Sequence, residues 1–410
     1  MHSPSPLTVP PDALFGAHNL PYGVFSTAAG TGRRLGVAYG EHVLDAGAAA
    51  RATGAPADLT ALLTAPSLNP LLAAGRPAWT RVRGALTEWL TADGHRAAVE
   101  PCLVPRADVS LHLPFEVADY VDFYASEHHA ANLGRIFRPG TEPLTPNWKH
   151  LPIGYHGRAG TVVVSGTPVV RPSGQRKAPA DPAPDYGPAR RLDIEAEVGF
   201  VVGAASPQGS RVALADADAH VFGVCLLNDW SARDIQSWET VPLGPFLGKS
   251  FATSLSPWVV PLDALSAARI DPPARDTEPL PYLDDRAARP PYGLDISLEV
   301  RLNGHVVARP PFAAMYWTYA QMLAHMTVNG ASLRPGDLFA SGTVSGRDRP
   351  TRGALIELTW NGGQPLDLPD GSRRGFLEDG DEVAISATAP GPGGTRIGFG
   401  EVAGRILPAR

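Results

Sequence analysis

Glycine and proline interrupt this chain so often that most of its regular elements have to be short. It carries 43 Gly and 42 Pro among 410 residues, a density that favours many turns between brief strands. Hydrophobic residues still make up 44%, enough to bury a core, so the turns belong to a folded protein. Residues 161–164, 194–202, 222–227, 296–302, 354–360 and 382–386 are β-branched or alternating, bounded by Gly, Pro or Asn, and are expected as strands. Two Pro-rich stretches, 171–190 and 271–293, are expected as long surface loops. The first hundred residues read differently. Strands at 34–39 and 42–45 precede a helix over 78–91, where Trp79, Val82, Leu86, Trp89 and Leu90 recur at helical spacing. Pro101, Pro105 and Pro114 mark the passage out of this lobe. The fold class expected is mainly β, of the α+β kind.

The formal charge of −6 and the lack of a basic stripe with interleaved aromatics argue against nucleic acid as a partner. No run of eighteen apolar residues is present, and the opening MHSPSPLTVPPDALFG has no charged stretch followed by an apolar one. A soluble cytoplasmic protein is expected, with no membrane partner. Two cysteines, Cys102 and Cys225, cannot make a disulfide framework, and Cys225 lies in the apolar run 221–227 as a small core residue.

Three segments could carry chemistry. On a strand, LDIEAEVGFVV puts Ile194, Ala196, Val198 and Phe200 on one face and Asp193, Glu195 and Glu197 on the other. Two carboxylates about 6–7 Å apart along a strand can reach one hard cation; an ordinary half-exposed polar face is the plainer alternative. In VFGVCLLNDWSARDIQSWE an apolar strand ends at Asn228, and Asp229, Arg233 and Gln236 fall on one face of a following helix. If VDFYASEHHAANLGRIF is helical, Asp122, Ser126 and His129 share a face and His128 points away, which favours His129 as a base. Each of the last two could equally be a solvated surface feature. Together they offer Asp122, Glu195, Glu197 and Asp229 as oxygen ligands without a matching Cys or His set, which favours Mg²⁺ or Ca²⁺ over zinc. Histidine then remains free for proton transfer near neutral pH.

Competing motifs are missing: there is no G-x-S-x-G elbow, no phosphate loop and no H-E-x-x-H. GFGEVAG misplaces its third Gly and lies too near the end for a following helix, so it reads as a strand or turn.

DFYASEHHAANLG, PNWKHLPIGYHGRAGTVVVSGTP, LNDWSARDIQSWETVPLGPFLGKSF, MYWTYAQMLAHMTVNG, LRPGDLFASGT and RIGFG run colinearly through residues 110–410. In these the chain closely resembles the fumarylacetoacetate hydrolase family, in particular the branch acting on fumarylacetoacetate itself. The resemblance implies a small SH3-like N-terminal β-barrel over residues 1–112 and a larger rolled β-sheet catalytic domain over 113–410. It also implies a homodimer, and metal-dependent cleavage of a carbon–carbon bond in a small diketo acid to give fumarate and acetoacetate, the last step of tyrosine and phenylalanine breakdown. Hydrolysis of another acylpyruvate-type acid, or a family isomerase or decarboxylase activity, are the alternatives. Carried over by motif, the metal ligands are Asp122, Glu195, Glu197 and Asp229, with Lys249 and Thr253 beside the Mg²⁺ or Ca²⁺ site. The proton acceptor is His129 and its orienting carboxylate is Glu357, which without the family would read as an exposed strand residue. Arg233, Gln236 and Lys249 match oxyanion-stabilising groups; Tyr124, Arg138, Gln236 and Thr343 match substrate contacts. Thr240 and Ala252 depart from the animal pattern, which has a substrate-contacting Tyr and a Gly there. What Glu127 and His128 do beside the base is left open.

Overall fold

Alternation along residues 194–202 sets the architecture. In the computed structural model, which describes residues 7–410, Ala196–Val202 is the central strand of an eight-stranded sheet. Its path runs Gly154–His156, Tyr120–Phe123, Leu338–Ala340, Ala196–Val202, Val221–Asp229, Thr253–Leu255, Val162–Val164, and Val260–Pro261 pairs with Val221–Asp229 off that path. Most neighbours are antiparallel, but Leu338–Ala340 pairs parallel to Tyr120–Phe123 and Thr253–Leu255 parallel to Val162–Val164. Ile194, Ala196, Val198, Phe200 and Val202 all face one core. There they meet Leu298, Val300 and Ile385 of a five-stranded sheet ordered His305–Ala308, Ser297–Leu302, Glu382–Pro390, Arg396–Leu407, Val169–Val170. Phe200 lies near-parallel to Tyr319 and Phe339, with ring centroids 5.1 and 5.2 Å away. Burying each such side chain contributes roughly 1.5–3 kcal/mol.

The other face of the large sheet is covered by the N-terminal lobe. A five-stranded antiparallel sheet, Leu103–Pro105, His42–Asp45, Gly30–Tyr39, Tyr22–Thr27, Val109–His112, packs with a helical layer that includes Gly75–Thr91. Trp79, Val82, Leu86, Trp89 and Leu90 are the buried stripe of that helix, as their spacing predicts. This core is continuous with Val201, Cys225, Leu227 and Leu255 of the large sheet. Cys225 is indeed a buried core residue, and Cys102 is also buried with a free thiol.

Several expected elements differ. Residues 354–360 are not a strand: Leu355–Leu358 is one helical turn, and Glu357 on it is fully buried instead of exposed. Residues 121–137 are not one helix, because Asp122 lies in the strand Tyr120–Phe123 and the helix Glu127–Phe137 starts after its N-cap Ser126. Asp229 likewise belongs to the strand Val221–Asp229, and the helix is Arg233–Glu239. The strand expected at 194–202 breaks around Glu195, leaving Leu192–Asp193 to pair with Ser231–Ala232. The stretch 171–190 is not all loop but holds the hairpin Ser173–Arg176 with Asp185–Pro188. GFGEVAG lies within the strand Arg396–Leu407. Among the described residues no helix is long and apolar enough to cross a membrane. The first six residues of the opening stretch lie outside those described.

Candidate active site

Three strands deliver the acidic groups. Asp122 sits near the end of Tyr120–Phe123, Glu197 near the start of Ala196–Val202, and Asp229 at the end of Val221–Asp229, while Glu195 occupies the break before Ala196. All four are buried, and one carboxylate oxygen from each lies within 4.8 Å of those of the other three. Lys249 Nζ donates to Glu195 Oε2 at 2.5 Å and to Asp229 Oδ2 at 2.7 Å; Thr253 Oγ1 donates to Asp229 Oδ1 at 3.2 Å. The Tyr155 hydroxyl lies 2.9 Å from both Asp122 Oδ2 and Asp229 Oδ2, yet its single proton can serve one of them at a time. Both oxygens of Glu197 and Oδ1 of Asp122 are buried with no hydrogen-bond partner in the protein.

The electrostatics follow. Burial, then the neighbouring carboxylates, hold Asp122 and Glu197 well above the ordinary carboxylate range. Glu195 goes the other way: burial would raise it, but Lys249, Arg233 and His129 together outweigh that and hold it below the range. Burial works against the Lys249 ammonium too, and Asp229 and Glu195 more than restore it. Unpartnered buried carboxylates are expensive in protein and fit a cation. The donors are oxygens, the preference of a hard divalent ion of the Mg²⁺ and Ca²⁺ type. The cluster of Asp122, Glu195, Glu197 and Asp229 therefore fits a divalent cation, which these four residues could hold.

Beside this cluster stands a histidine–carboxylate pair. Ser126 Oγ accepts from the His129 amide at 3.2 Å and so caps the helix carrying the imidazole. His129 Nδ1 lies 2.6 Å from Glu357 Oε2, and its Nε2 lies 3.7 Å from Glu195 Oε1. Glu357 also accepts from Asn132 Nδ2 and Ser345 Oγ, both at 2.8 Å. Burial would raise Glu357, but His129, Asn132 and Ser345 leave it below the ordinary range, hence ionised and an acceptor. The Nδ1–H therefore points at Glu357, which leaves Nε2 directed to the side of the carboxylate cluster.

Arg233 closes the arrangement. Its Nε donates to Asp193 Oδ2 at 2.9 Å, one Nη to Glu195 Oε1 at 2.7 Å, and the other to Gln236 Oε1 at 3.1 Å. With Oε1 so engaged, Gln236 keeps its amide N–H groups for another acceptor. Thr343 is buried, with its hydroxyl unpartnered. It lies beside Ala196 because the Val344 amide donates to Ala196 O at 2.9 Å. Tyr124 meets the His129 ring edge-to-face at 5.3 Å. Arg138 is not brought into the cluster: it is the exposed C-cap of the His129 helix and donates to Pro143 O at 3.0 Å. Glu127 pairs with Lys149 at 3.1 Å. Thr240 caps the Arg233–Glu239 helix, its hydroxyl donating to Gln236 O at 2.7 Å.

Residue reasoning did not single out Tyr155, Asn132 or Ser345. Asn132 had a usable signal, three residues after His129 and so on the same helix face; Ser345 and Tyr155 reach the site through tertiary pairing that no local pattern displays.

Fold and site together define a fumarylacetoacetate hydrolase: the family profile Fumarylacetoacetase N-terminal matches residues 18–114 and Fumarylacetoacetate (FAA) hydrolase C-terminal matches 119–407, so the chain belongs to this family. Among relatives, the chain is 45% identical to the fumarylacetoacetase of Homo sapiens over 98% of each chain. It is 45% identical to that of Caenorhabditis elegans over 98% of this chain and 99% of the other. Solved structures share the fold. One is a fumarylacetoacetate hydrolase from the psychrophile Exiguobacterium antarcticum, with TM-score 0.55 and 17% identity over 95% of this chain and all of that one. Another is maleylpyruvate hydrolase from Sphingobium sp. SYK-6 in complex with manganese (II) and pyruvate, with TM-score 0.53, 17% identity and the same coverage.

Proposed function

We propose that the chain is a divalent-metal-dependent fumarylacetoacetate hydrolase that splits its substrate into fumarate and acetoacetate. The observation that carries this is the His129–Glu357 pair beside a buried four-carboxylate cluster, in a chain similar over nearly its whole length to fumarylacetoacetases. We assign Asp122, Glu195, Glu197 and Asp229 to Mg²⁺ or Ca²⁺, with Lys249 and Thr253 fixing Glu195 and Asp229. A cation there supplies Lewis acidity toward the 1,3-dicarbonyl oxygens. His129 Nε2 removes a proton from water, and Glu357 stabilises the imidazolium that results. The hydroxide adds to the carbonyl next to the unsaturated acid. Gln236 and Lys249 N–H groups, backed by Arg233, meet the developing oxyanion. On collapse the bond from that carbonyl to the adjacent methylene carbon breaks. Fumarate keeps the added oxygen, and the acetoacetate carbanion takes the proton from His129. Tyr124 and Thr343 contact substrate, with Arg138 reaching its distal carboxylate from the helix end. Division into lobes at residues 112 and 113, a homodimer and a cytoplasmic location complete the reading.

A decarboxylase or isomerase needs no water-activating pair, so His129 with Glu357 favours hydrolysis over either. Two variants test the division of labour. His129→Ala is expected to lose turnover by at least about 100-fold while holding Mn²⁺ as tightly as the parent, and Glu197→Ala to lose both. His129→Ala with most of its turnover intact would contradict the assigned base.

A further inference from the structure

We propose that Asp193 is a positioning residue that locks the proton-accepting pair and the Arg233 guanidinium into one frame; this rests on the roles given above to His129, Glu357 and Arg233. Asp193 is completely buried and lies two residues before Glu195, yet it is not part of the acidic cluster. Its oxygens are occupied by four donors. Oδ1 accepts from the amides of Ile194 and Leu355, both at 2.7 Å, and Oδ2 accepts from the Ile356 amide at 3.1 Å and from Arg233 Nε at 2.9 Å.

The consequences run in two directions. The turn Leu355–Leu358 has no side-chain cap of its own at Ala354. A single helical turn is unstable unless its first amides find acceptors, and Asp193 supplies them from 162 positions earlier in the chain. The next residue is Glu357, whose carboxylate fixes His129. On the other side, Asp193 fixes the Nε edge of the guanidinium, so its remaining nitrogens meet Glu195 and Gln236. The pairing of Leu192–Asp193 with Ser231–Ala232 brings Asp193 and Arg233 together. One carboxylate, acting only as an acceptor, therefore sets the spacing between the base and the oxyanion side. An Asn in its place keeps the volume but turns an NH₂ toward groups that are all donors.

The test combines Asp193→Asn, Glu357→Gln and the double variant, assayed with fumarylacetoacetate at saturating Mn²⁺, with Mn²⁺ affinity measured by calorimetry. Asp193→Asn is expected to lower kcat by at least about 100-fold, with KM and Mn²⁺ affinity changed by less than about threefold. The double variant is expected to lose clearly less than the product of the two single losses, because part of the Asp193→Asn loss acts through the pair that Glu357→Gln already disables. Multiplying losses, a kcat near the parent's, or a loss explained by weakened Mn²⁺ affinity would overturn the proposal. Should Asp193→Asn not fold, Leu355→Pro removes one of the four donors at a helix position that accepts proline. It is expected to shift or broaden the downfield proton resonance of His129 Nδ1, assigned by its loss in His129→Ala, and to lower kcat; an unchanged resonance and kcat would overturn the proposal equally. A parent chain inert toward fumarylacetoacetate would refute the functional reading, whereas the resonance and the Mn²⁺ affinity report on Asp193 without turnover.

Discussion

Glu197 presents two buried oxygens with no donor in the protein, and Asp122 presents one. Their carboxyls are held above the ordinary range by burial and by neighbouring carboxylates. The sign of the linkage is fixed by that direction. Without a cation, the folded chain keeps protons that the unfolded chain has released, so stability falls as pH rises from the ordinary carboxylate range through the raised values. A divalent ion replaces those protons. Chelated protein is therefore expected to lose thermal stability as pH rises above the ordinary carboxylate range, with the stabilisation by added Mg²⁺ or Mn²⁺ widening as it does. Calorimetry in buffers of differing ionisation enthalpy should show proton release on binding. A chelated protein whose melting temperature ignores pH, with no proton release, would mean that these carboxylates are not a cation site. Glu197→Gln is expected to raise the melting temperature of chelated protein toward higher pH, where the carboxyl would otherwise have to ionise while buried, and to weaken divalent binding.

At the scale of elements, the periodic signals were readable and the tertiary ones were not. Ile194, Ala196, Val198 and Phe200 share a core face, and Trp79, Val82, Leu86, Trp89 and Leu90 form a buried helical stripe, because an apolar core on one side imposes a period that local sequence displays. Residues 354–360 mislead because Ile, Leu, Thr and Trp suit a strand, whereas the turn they form is held by Asp193 from far along the chain. Asp122 and His129 do come together, but not on one helix: Tyr120–Phe123 leads to a sharp entry into the helix capped by Ser126. The acidic cluster was legible as residue types; the carboxylate partner of His129 came from family resemblance, and the surrounding support is long-range. Gly342 shows how close that support runs. Its φ is +73°, and an added Cβ would lie 2.2 Å from the Phe123 carbonyl oxygen, in the segment that presents Thr343. Gly342→Ala is expected to destabilise by about 1–3 kcal/mol and to reduce turnover by displacing Thr343 and Tyr124. Parent-like melting and kinetics would show that this close approach does not matter to the site.

For the whole molecule, the N-terminal lobe is a structural wall of the catalytic sheet. Trp79 is 4% exposed, meets Phe222 edge-to-face at 5.3 Å and leaves no room for a side chain at position 203. Val201, Cys225, Leu227 and Leu255 share its core. With apolar surface continuous across the join, the lobe and the large sheet are expected to unfold in one calorimetric transition. Trp79→Ala, a cavity change of about 3–5 kcal/mol, should lower that transition as a unit; two separate transitions, with only the first moved, would show that the lobe folds independently. The central claim concerns chemistry and is tested most directly with fumarylacetoacetate itself. The purified chain is incubated with it, and loss of its enol–diketone ultraviolet absorbance is followed with and without a chelator, with product analysis. Rapid, chelator-sensitive loss giving equal amounts of fumarate and acetoacetate is the expected result; no loss with either Mg²⁺ or Ca²⁺ present would contradict it.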